Sequence, residues 1–379
     1  MSPSSELYVG LISGTSLDGI DAALVDFGAA QPTLITAATY PFAPALHSEL
    51  VALCQPGDNE IERMGRADRA LGEALAAAVK ALLDKAGIAA TEVRAIGSHG
   101  QTIRHRPRLP GDSSSHPFTL QIGDPATIAH HTGITTIADF RRRDLAAGGQ
   151  GAPLVPAFHR AMFSDSNRGG RRHRVIVNIG GIANITALPS ENAILGFDTG
   201  PGNGLMDAWI RRHQGRSFDR DGGWAATGHS QQALLAALLA DPYFALPAPK
   251  STGREYFHLD WLDRQLTGHP GIAPADVQAT LLELTAASIA QAIAALPFTA
   301  NEVFICGGGA HNRRLMLRLE ALLHPRLLAH TGELGIAPDW VEAAAFAWLA
   351  RETLAGRPGN APAVTGADRP CVLGAIHPA

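Results

Sequence analysis

Asp198 heads the residues whose type and setting could do chemistry. It lies in Phe197-Asp198-Thr199-Gly200-Pro201-Gly202-Asn203, where an apolar strand over 194–197 gives way to a helix over 205–213. A carboxylate at a strand end, followed by glycines and no neighbouring cation, can point at a ligand and act as a base beside a phosphate. The plainer alternative is a cap on the helix that follows. Gly14-Thr15-Ser16-Leu17-Asp18-Gly19 is a second turn of small and polar residues, followed by Ile20 and Asp21. Its bare N–H groups could wrap phosphate oxygens. Asp18 and Asp21 could hold water or Mg²⁺, which takes few carboxylates and several waters. An ordinary hairpin turn would have the same residues. The third turn, Gly307-Gly308-Gly309-Ala310-His311-Asn312, allows flat contact with an adenine or a ribose, or is simply a tight strand-to-helix connection.

A further set of polar residues suits a substrate with hydroxyls and one carboxylate. Ser98-His99-Gly100-Gln101-Thr102 supplies donors and acceptors. Arg141, in Asp139-Phe140-Arg141-Arg142-Arg143-Asp144, could take a carboxylate bidentately or be a solvated surface charge. His99 could be a base, but a neutral hydrogen-bonding imidazole fits better. Glu342, in Asp339-Trp340-Val341-Glu342-Ala343, falls in the first turn of the last helix, where compensation of the helix dipole is the alternative to chemistry.

Several chemistries are excluded. The chain has 3 lysines (Lys80, Lys85, Lys250) against 28 arginines, and no lysine follows a glycine, so there is no Walker-A loop. The glycines after Asp198 lack dinucleotide-binding spacing, and Gly97-Ser98-His99-Gly100 is not a serine-hydrolase elbow. Cys54, Cys306 and Cys371 are scattered, which argues against zinc and disulfide frameworks. The net charge is −4, and the arginines at 168, 171, 172 and 174 have no interleaved aromatics, so no nucleic-acid partner is expected. The N-terminus has no leader pattern. The Ala-rich run 281–296 is interrupted by Glu283, Thr285, Ser288 and Gln291 and is too short to span a bilayer. A cytoplasmic protein with no membrane partner is expected.

These residues need a scaffold that holds strand ends. The 379 residues are 46% hydrophobic and 17% charged, which suggests two domains with ample core. Ile61, Met64, Ala67, Leu71, Leu75, Val79, Leu82 and Leu83 share one face of a helix over Glu60–Ala86, closed by Gly87. Asp124 and Pro125 start another helix as N-cap and N1. Residues 95–102 read as a short strand running into a polar loop, and 164–174 as an exposed loop. Helices are expected over 274–296, 313–323 and 339–354, with a strand over 302–306. Each half opens with strand, glycine turn and return strand, at 7–27 and again at 175–188 around Gly180-Gly181. Strands alternate with helices throughout, which predicts an α/β protein with a partly parallel sheet in each half.

Two phosphate-facing turns and one nucleoside-facing turn are the plan of actin-like ATPases and sugar kinases, and that plan needs no Walker lysine. The residues go further. Residues 10–21, Gly97-Ser98-His99-Gly100-Gln101-Thr102, Asp139-Phe140-Arg141 with Gly148-Gly149-Gln150-Gly151-Ala152-Pro153-Leu154, and Asn178-Ile179-Gly180-Gly181-Ile182-Ala183-Asn184 match a known pattern. So do the stretches already quoted around Asp198, Gly308 and Glu342. In that order they closely resemble the anhydro-N-acetylmuramic acid kinases of bacteria. Ile12, where methionine is often expected, and the arginine-rich loop are the departures.

The resemblance implies two actin-like (ribonuclease H-like) domains with an interdomain cleft that closes by hinge motion, ATP with Mg²⁺, and a homodimer. It places the first domain at 1–138, rejoined by about 360–379, and the second at 139–359. Asp198 and Glu342 become the catalytic candidates. The residues from Gly14 to Asp21, with Gly180, Gly181, Gly200, Gly202, Asn203, Gly307, Gly308, Gly309 and Asn312, become nucleotide contacts. His99, Gln101, Thr102 and Arg141, with Asp198 and Glu342, become sugar contacts. It also implies the reaction: hydrolytic opening of the 1,6-anhydro ring of 1,6-anhydro-N-acetylmuramic acid and phosphorylation of O6 in cell-wall recycling. A sugar kinase without ring opening, and a non-catalytic ATP-driven switch, are the alternatives on the same fold.

Overall fold

β1 (Leu7–Ser13) is buried at all seven positions, because both faces of this strand are covered. It anchors the first of two sheets in a computed structural model that describes residues 5–14, 17–29, 32–108, 116–165, 171–191, 194–248, 250–253 and 255–379. β2 (Ile20–Asp26) and β3 (Thr33–Tyr40) complete an antiparallel meander. After α1 (Pro44–Leu53) and α2 (Glu60–Ala86), β4 (Val93–Arg106) pairs parallel to β1. β5 (Phe118–Ile122) pairs antiparallel to the far end of β4. α3 (Pro125–Thr132) follows, capped by the Asp124 carboxylate on Ala126 N–H as expected, and leads to β6 (Thr136–Ala138), parallel to β4. α4 (Arg142–Ala146) and α5 (Val155–Phe163) come next.

The second sheet repeats the order. β7 (Arg174–Ile179), β8 (Ile182–Leu188) and β9 (Leu195–Pro201) form an antiparallel meander. β10 (Glu302–Cys306) and β11 (Leu327–His330) then add in parallel on the β7 side. Its helices are α6 (Gly204–Gln214), α7 (Gln232–Leu239), α8 (Pro242–Ala245), α9 (Leu259–Thr267), α10 (Pro274–Ala294) and α11 (Arg313–Leu323). The chain then returns through α12 (Val341–Leu354) and α13 (Pro362–Thr365) to β12 (Ala375–His377), which pairs with β6. The sheets read β3-β2-β1-β4-β6-β12 and β9-β8-β7-β10-β11. Three antiparallel strands followed by two parallel ones is the actin-like, ribonuclease H-like order, present twice. The internal repeat expected from the two glycine turns is this duplication.

The chain divides into two units, 1–158 with 340–379, and 159–339. This differs from the expected limits, 1–138 with 360–379 and 139–359, in two places. Residues 139–158 stay with unit 1 because α4 is bonded to the C-terminal segment. Residues 340–359 also stay there, because α12 lies directly on β1 and β4. Gly10 and Gly97 are register partners on those strands. A Cβ on Gly10 would stand 1.8 Å from the Ala343 carbonyl oxygen, and one on Gly97 would stand 2.0 Å from that of Phe346. α12 answers with Ala343, Ala344, Ala345, Ala347 and Ala350. Helix backbone therefore rests on strand backbone, and the alanines of α12 are a packing requirement.

Other expectations shift. β4 does not stop in a loop after Thr102; it runs on to Arg106, with Gly100 at φ 68 and a register shift where its partner changes to β5. β9 likewise continues through Asp198 to Pro201, since Asn184 to Ile182 of β8 continue to pair with it. In the expected exposed loop, 166–170 lie outside the described residues. Ser164 is buried, however, and Arg174 opens β7, held between Glu302 and Asp165 at 2.7 and 3.0 Å. α10, at 21 residues, is long and apolar enough by composition to cross a membrane, longer than the run considered above; two-thirds of its most apolar stretch is buried in unit 2.

Replacing Gly97 with alanine is expected to cost about 1–3 kcal/mol or more, since the nearest atom is backbone and cannot rotate away. A urea titration that left the midpoint unchanged would contradict this packing.

Candidate active site

Unit 1 gathers four of the expected residues into one charged cluster. Arg141 precedes α4 and donates from Nε to His99 Nε2 at 3.0 Å and from Nη1 to the Gly151 carbonyl at 2.8 Å. His99 Nδ1 stands 2.9 Å from the Gly100 carbonyl, so Nδ1 carries the proton and Nε2 accepts. Burial and the Arg141 charge hold the imidazole neutral, with its pKa well below the ordinary value. It is a spacer that orients arginine, and its ring rests on Phe346 of α12 at 4.7 Å. Desolvation lowers Arg141 to about 10, against the opposing charges of Glu342 and Asp144; it stays a cation, with three N–H groups outside its two bonds.

Glu342 occupies the first turn of α12, as expected. The helix dipole alone would lower its pKa. Instead desolvation raises it, Arg141 pulls it down and Asp21 pushes it up, although part of the side chain meets solvent. Glu342 is itself exposed, so its charge is set by Arg141 and Asp21 beside it as well as by the helix dipole. Asp21, on β2, accepts from Thr39 Oγ1 at 2.6 Å.

The Gly14–Asp21 stretch divides by role. Thr15 and Ser16 lie outside the described residues. Gly14 accepts the Leu17 N–H at 3.1 Å, closing the turn. Leu17, at φ 58, and Ile20 bury their side chains in the unit 1 core, so only their backbone could meet a ligand. Gly19 is small because of β3: a Cβ would sit 2.7 Å from Thr39 Cγ2 and 2.8 Å from the Tyr40 carbonyl. Asp18 is exposed. Gln101 and Thr102 are taken up by the sheet: the Gln101 side-chain Oε1 accepts from the Ser13 hydroxyl, and Thr102 Oγ1 accepts from Gln121 at 3.0 Å.

Unit 2 holds the rest. Asp198 lies inside β9, six residues before α6, and so is no helix cap. Thr252 N–H donates to its Oδ2 at 2.9 Å, and the Ser251 side chain adds a second bond. Its backbone is fixed on both sides: its N–H donates to the Lys250 carbonyl at 3.0 Å, and its carbonyl accepts the Tyr243 hydroxyl at 2.7 Å. Desolvation outweighs those bonds and raises the carboxyl to about 6. Residues 243–252 are the part of this site that sequence reasoning missed; they carry no motif, and only the lone Lys250 stands out.

The unit 2 glycine turns interlock. The Gly181 carbonyl accepts from the Gly202 and Gly204 N–H groups, each at 3.0 Å, and the Gly180 carbonyl accepts from Asn203 at 2.8 Å. Gly200, Gly202, Gly307 and Gly309 are each required by protein atoms: a Cβ would meet Phe244, the Gly180 carbonyl, Asn178 or Ile179 within 2.7 Å. Asn312 Oδ1 caps α11 on Leu315 N–H at 3.1 Å. Gly180 and Gly308 are different: a Cβ on Gly180 would have the Ile182 carbonyl as its nearest atom, at 3.7 Å. The nearest atom to a Cβ on Gly308 would be Asn203 Nδ2 at 3.8 Å, so the protein itself leaves room there. A strand-end cradle of this kind fits a nucleoside. Asp18 and Asp21 each offer the kind of oxygen donor that Mg²⁺ takes, and no group of three metal-ligating side chains occurs among the described residues.

A duplicated actin-like fold with glycine turns at its strand ends and a carboxylate poised near neutrality defines a phosphotransferase of the actin-like class. The chain matches the family model for anhydro-N-acetylmuramic acid kinase over residues 6–379. It is 54% identical to the anhydro-N-acetylmuramic acid kinase of Shewanella halifaxensis over 99% of this chain and 100% of that one. It is also 54% identical to the enzyme of that name from Xanthomonas axonopodis pv. citri, over 99% of each. A looser likeness is to the activator of the 2-hydroxyisocaproyl-CoA dehydratase from Clostridium difficile, with TM-score 0.44 and 11% identity over 90% of this chain and 92% of that one. The chain belongs to the anhydro-N-acetylmuramic acid kinase family and is an enzyme, a kinase.

Gly308→Ala is expected to fold with unchanged stability and to raise the KM for ATP several-fold, while Gly307→Ala, at φ 78, is expected to lose stability. Thermal melts beside ATP titrations check this. An unchanged ATP response in Gly308→Ala would remove the nucleoside from that cradle.

Proposed function

We propose that this protein couples two reactions on 1,6-anhydro-N-acetylmuramic acid: hydrolytic opening of the anhydro ring and transfer of the ATP γ-phosphoryl group to O6. The product is N-acetylmuramic acid 6-phosphate, formed in cell-wall recycling. The proposal includes Mg²⁺ and a homodimer, as the resemblance implies, and a cytoplasmic location, as the sequence reading expects.

The observation that carries this reading is the setting of Asp198. An ordinary sugar kinase deprotonates a hydroxyl of its substrate. Here ring opening itself releases O6, so the base is needed for water. Asp198, with a pKa near 6, is ionised at neutral pH yet basic enough to take a proton. The water oxygen bonds to the anomeric carbon, its proton goes to Asp198, and the bond from that carbon to O6 breaks. O6 then bonds to phosphorus as the bond to ADP breaks. Glu342 would accept a hydrogen bond from a sugar hydroxyl. Arg141, with two N–H groups fixed on His99 and Gly151, presents the others to the substrate carboxylate. Backbone N–H groups of the Gly14–Asp21 stretch would hold the β- and γ-phosphates, and the Gly308 turn would face the adenosine. Mg²⁺, held by Asp18 or Asp21 and phosphate oxygens, would neutralise charge on the transferring group.

A mass-spectrometric assay in ¹⁸O-labelled water tests the whole reading. The expected product gains one phosphoryl group and one labelled oxygen. Phosphorylation without the label would leave a sugar kinase and take Asp198 out of the mechanism; slow ATP turnover with no sugar product would favour a switch.

Asp198→Asn is expected to lower kcat on the order of 10²–10⁴-fold while ATP still binds. Because the deprotonated form is the active one, wild-type kcat/KM should fall about tenfold per pH unit below about 6, and this limb should vanish from the residual activity of Asp198→Asn. A limb that persists in the variant would assign it to another group.

A further inference from the structure

Asp144 is the most deeply buried carboxylate among the described residues, with no solvent exposure at all. A carboxylate there is tolerated only if its oxygens are fully bonded. Oδ2 accepts the Gly151 N–H at 2.8 Å. Oδ1 accepts the Asn360 side-chain amide at 2.7 Å and the Thr365 hydroxyl at 2.8 Å. Further bonds stitch the same segments together: Gln150 N–H to the Thr365 carbonyl at 2.8 Å, and Asp368 N–H to the Ala147 carbonyl at 2.7 Å. Asn360 is itself locked, its Oδ1 accepting from Cys371 N–H at 2.7 Å.

The loop that Asp144 fixes is the one that holds Arg141. Gly151 gives its N–H to Asp144 and its carbonyl to Arg141 Nη1. Glycine is required there, at φ 70 with the Leu145 side chain 2.1 Å from where a Cβ would be. The bonds of Asp144 go to Gly151, Asn360 and Thr365, so Arg141, three residues earlier, feels its charge without being bonded to it. That separation has a chemical consequence. A direct ion pair would occupy the guanidinium fork; a bond relayed through a neutral carbonyl aims it and leaves its remaining donors available.

We infer that Asp144 is a positioning residue for substrate recognition: through Gly151 it sets the direction of Arg141, and through Asn360 and Thr365 it makes the C-terminal segment part of the apparatus that reads the substrate's carboxylate. The inference rests on the proposal that Arg141 receives that carboxylate.

The test compares two sugars, 1,6-anhydro-N-acetylmuramic acid and 1,6-anhydro-N-acetylglucosamine, which lacks the lactyl carboxylate. Asp144→Asn is expected to raise KM for the carboxylated sugar by roughly 10- to 100-fold, with kcat and the ATP KM little changed, and with a much smaller effect on the neutral sugar. Thr365→Val removes one bond to Oδ1 and keeps the charge. It should shift the same ratio in the same direction by a few-fold, so the inference stays testable if Asp144→Asn does not fold. Equal losses on both sugars in Thr365→Val, or a lower melting temperature with an unchanged KM ratio, would reduce Asp144 to a structural tie and overturn the inference. Arg141→Lys separates the two readings. If it discriminates between the sugars while the Asp144 and Thr365 variants do not, only the positioning role fails. If Arg141→Lys does not discriminate, the carboxylate reading of Arg141 fails and takes this inference with it.

Discussion

The chemistry assembled in unit 1 depends on how closely the backbone of α12 approaches the sheet. Two facing glycines, Gly10 and Gly97, remove the side chains that would hold the helix off, and the alanines of α12 do the same from their side. The contact fixes the helix in height and direction. Glu342 in its first turn thus enters the electrostatic field of Arg141 and Asp21, and Phe346 one turn later lies under His99. Close packing of this kind transmits position well, because nothing in the interface has a rotamer to change. It also explains why residues 340–379 belong to the first unit.

Electrostatics divides the carboxylates into distinct roles. Asp144 has every oxygen bonded and serves as a fixed tie. Asp198 has bonds enough to be oriented but too few to offset its desolvation, and so it rests near neutrality. Glu342 is exposed, beside a cation and another acid. The same side-chain chemistry is thus a structural tie, a candidate base and a member of a charged cluster, according to how many donors face it.

The glycines separate in the same way. Most are small because protein backbone passes close by. Gly202 and Gly204 are small because the Gly180 and Gly181 carbonyls lie where their side chains would be, and Gly307 and Gly309 because the end of β7 lies beneath them. Gly180 and Gly308 are the positions in that group where protein atoms would only touch an added side chain, at 3.7 and 3.8 Å, so packing does not explain them. A glycine motif therefore marks both the site and the framework that shapes it, and the sequence pattern does not distinguish the two.

The sequence by itself determined the elements and their alternation. Periodicity and capping placed α2 and α3 correctly, and two strand–turn–strand units announced a duplicated fold, because such signals are carried by residues within one or two turns of each other. It also determined which residue types stand at strand ends. What lay beyond it were the partners. Asp198 is held by Thr252, Arg141 by His99 and Gly151, and Asp144 by Asn360 and Thr365, more than two hundred residues away. Strand ends were misjudged for the same reason: β4 and β9 run on past their apolar residues because neighbouring strands continue to pair with them. Desolvation and hydrogen-bond supply depend on segments that only tertiary packing brings together. The roles of Gln101 as a sheet tie, His99 as a neutral spacer and Asp198 as a carboxyl near pH 6 were therefore decided by the fold.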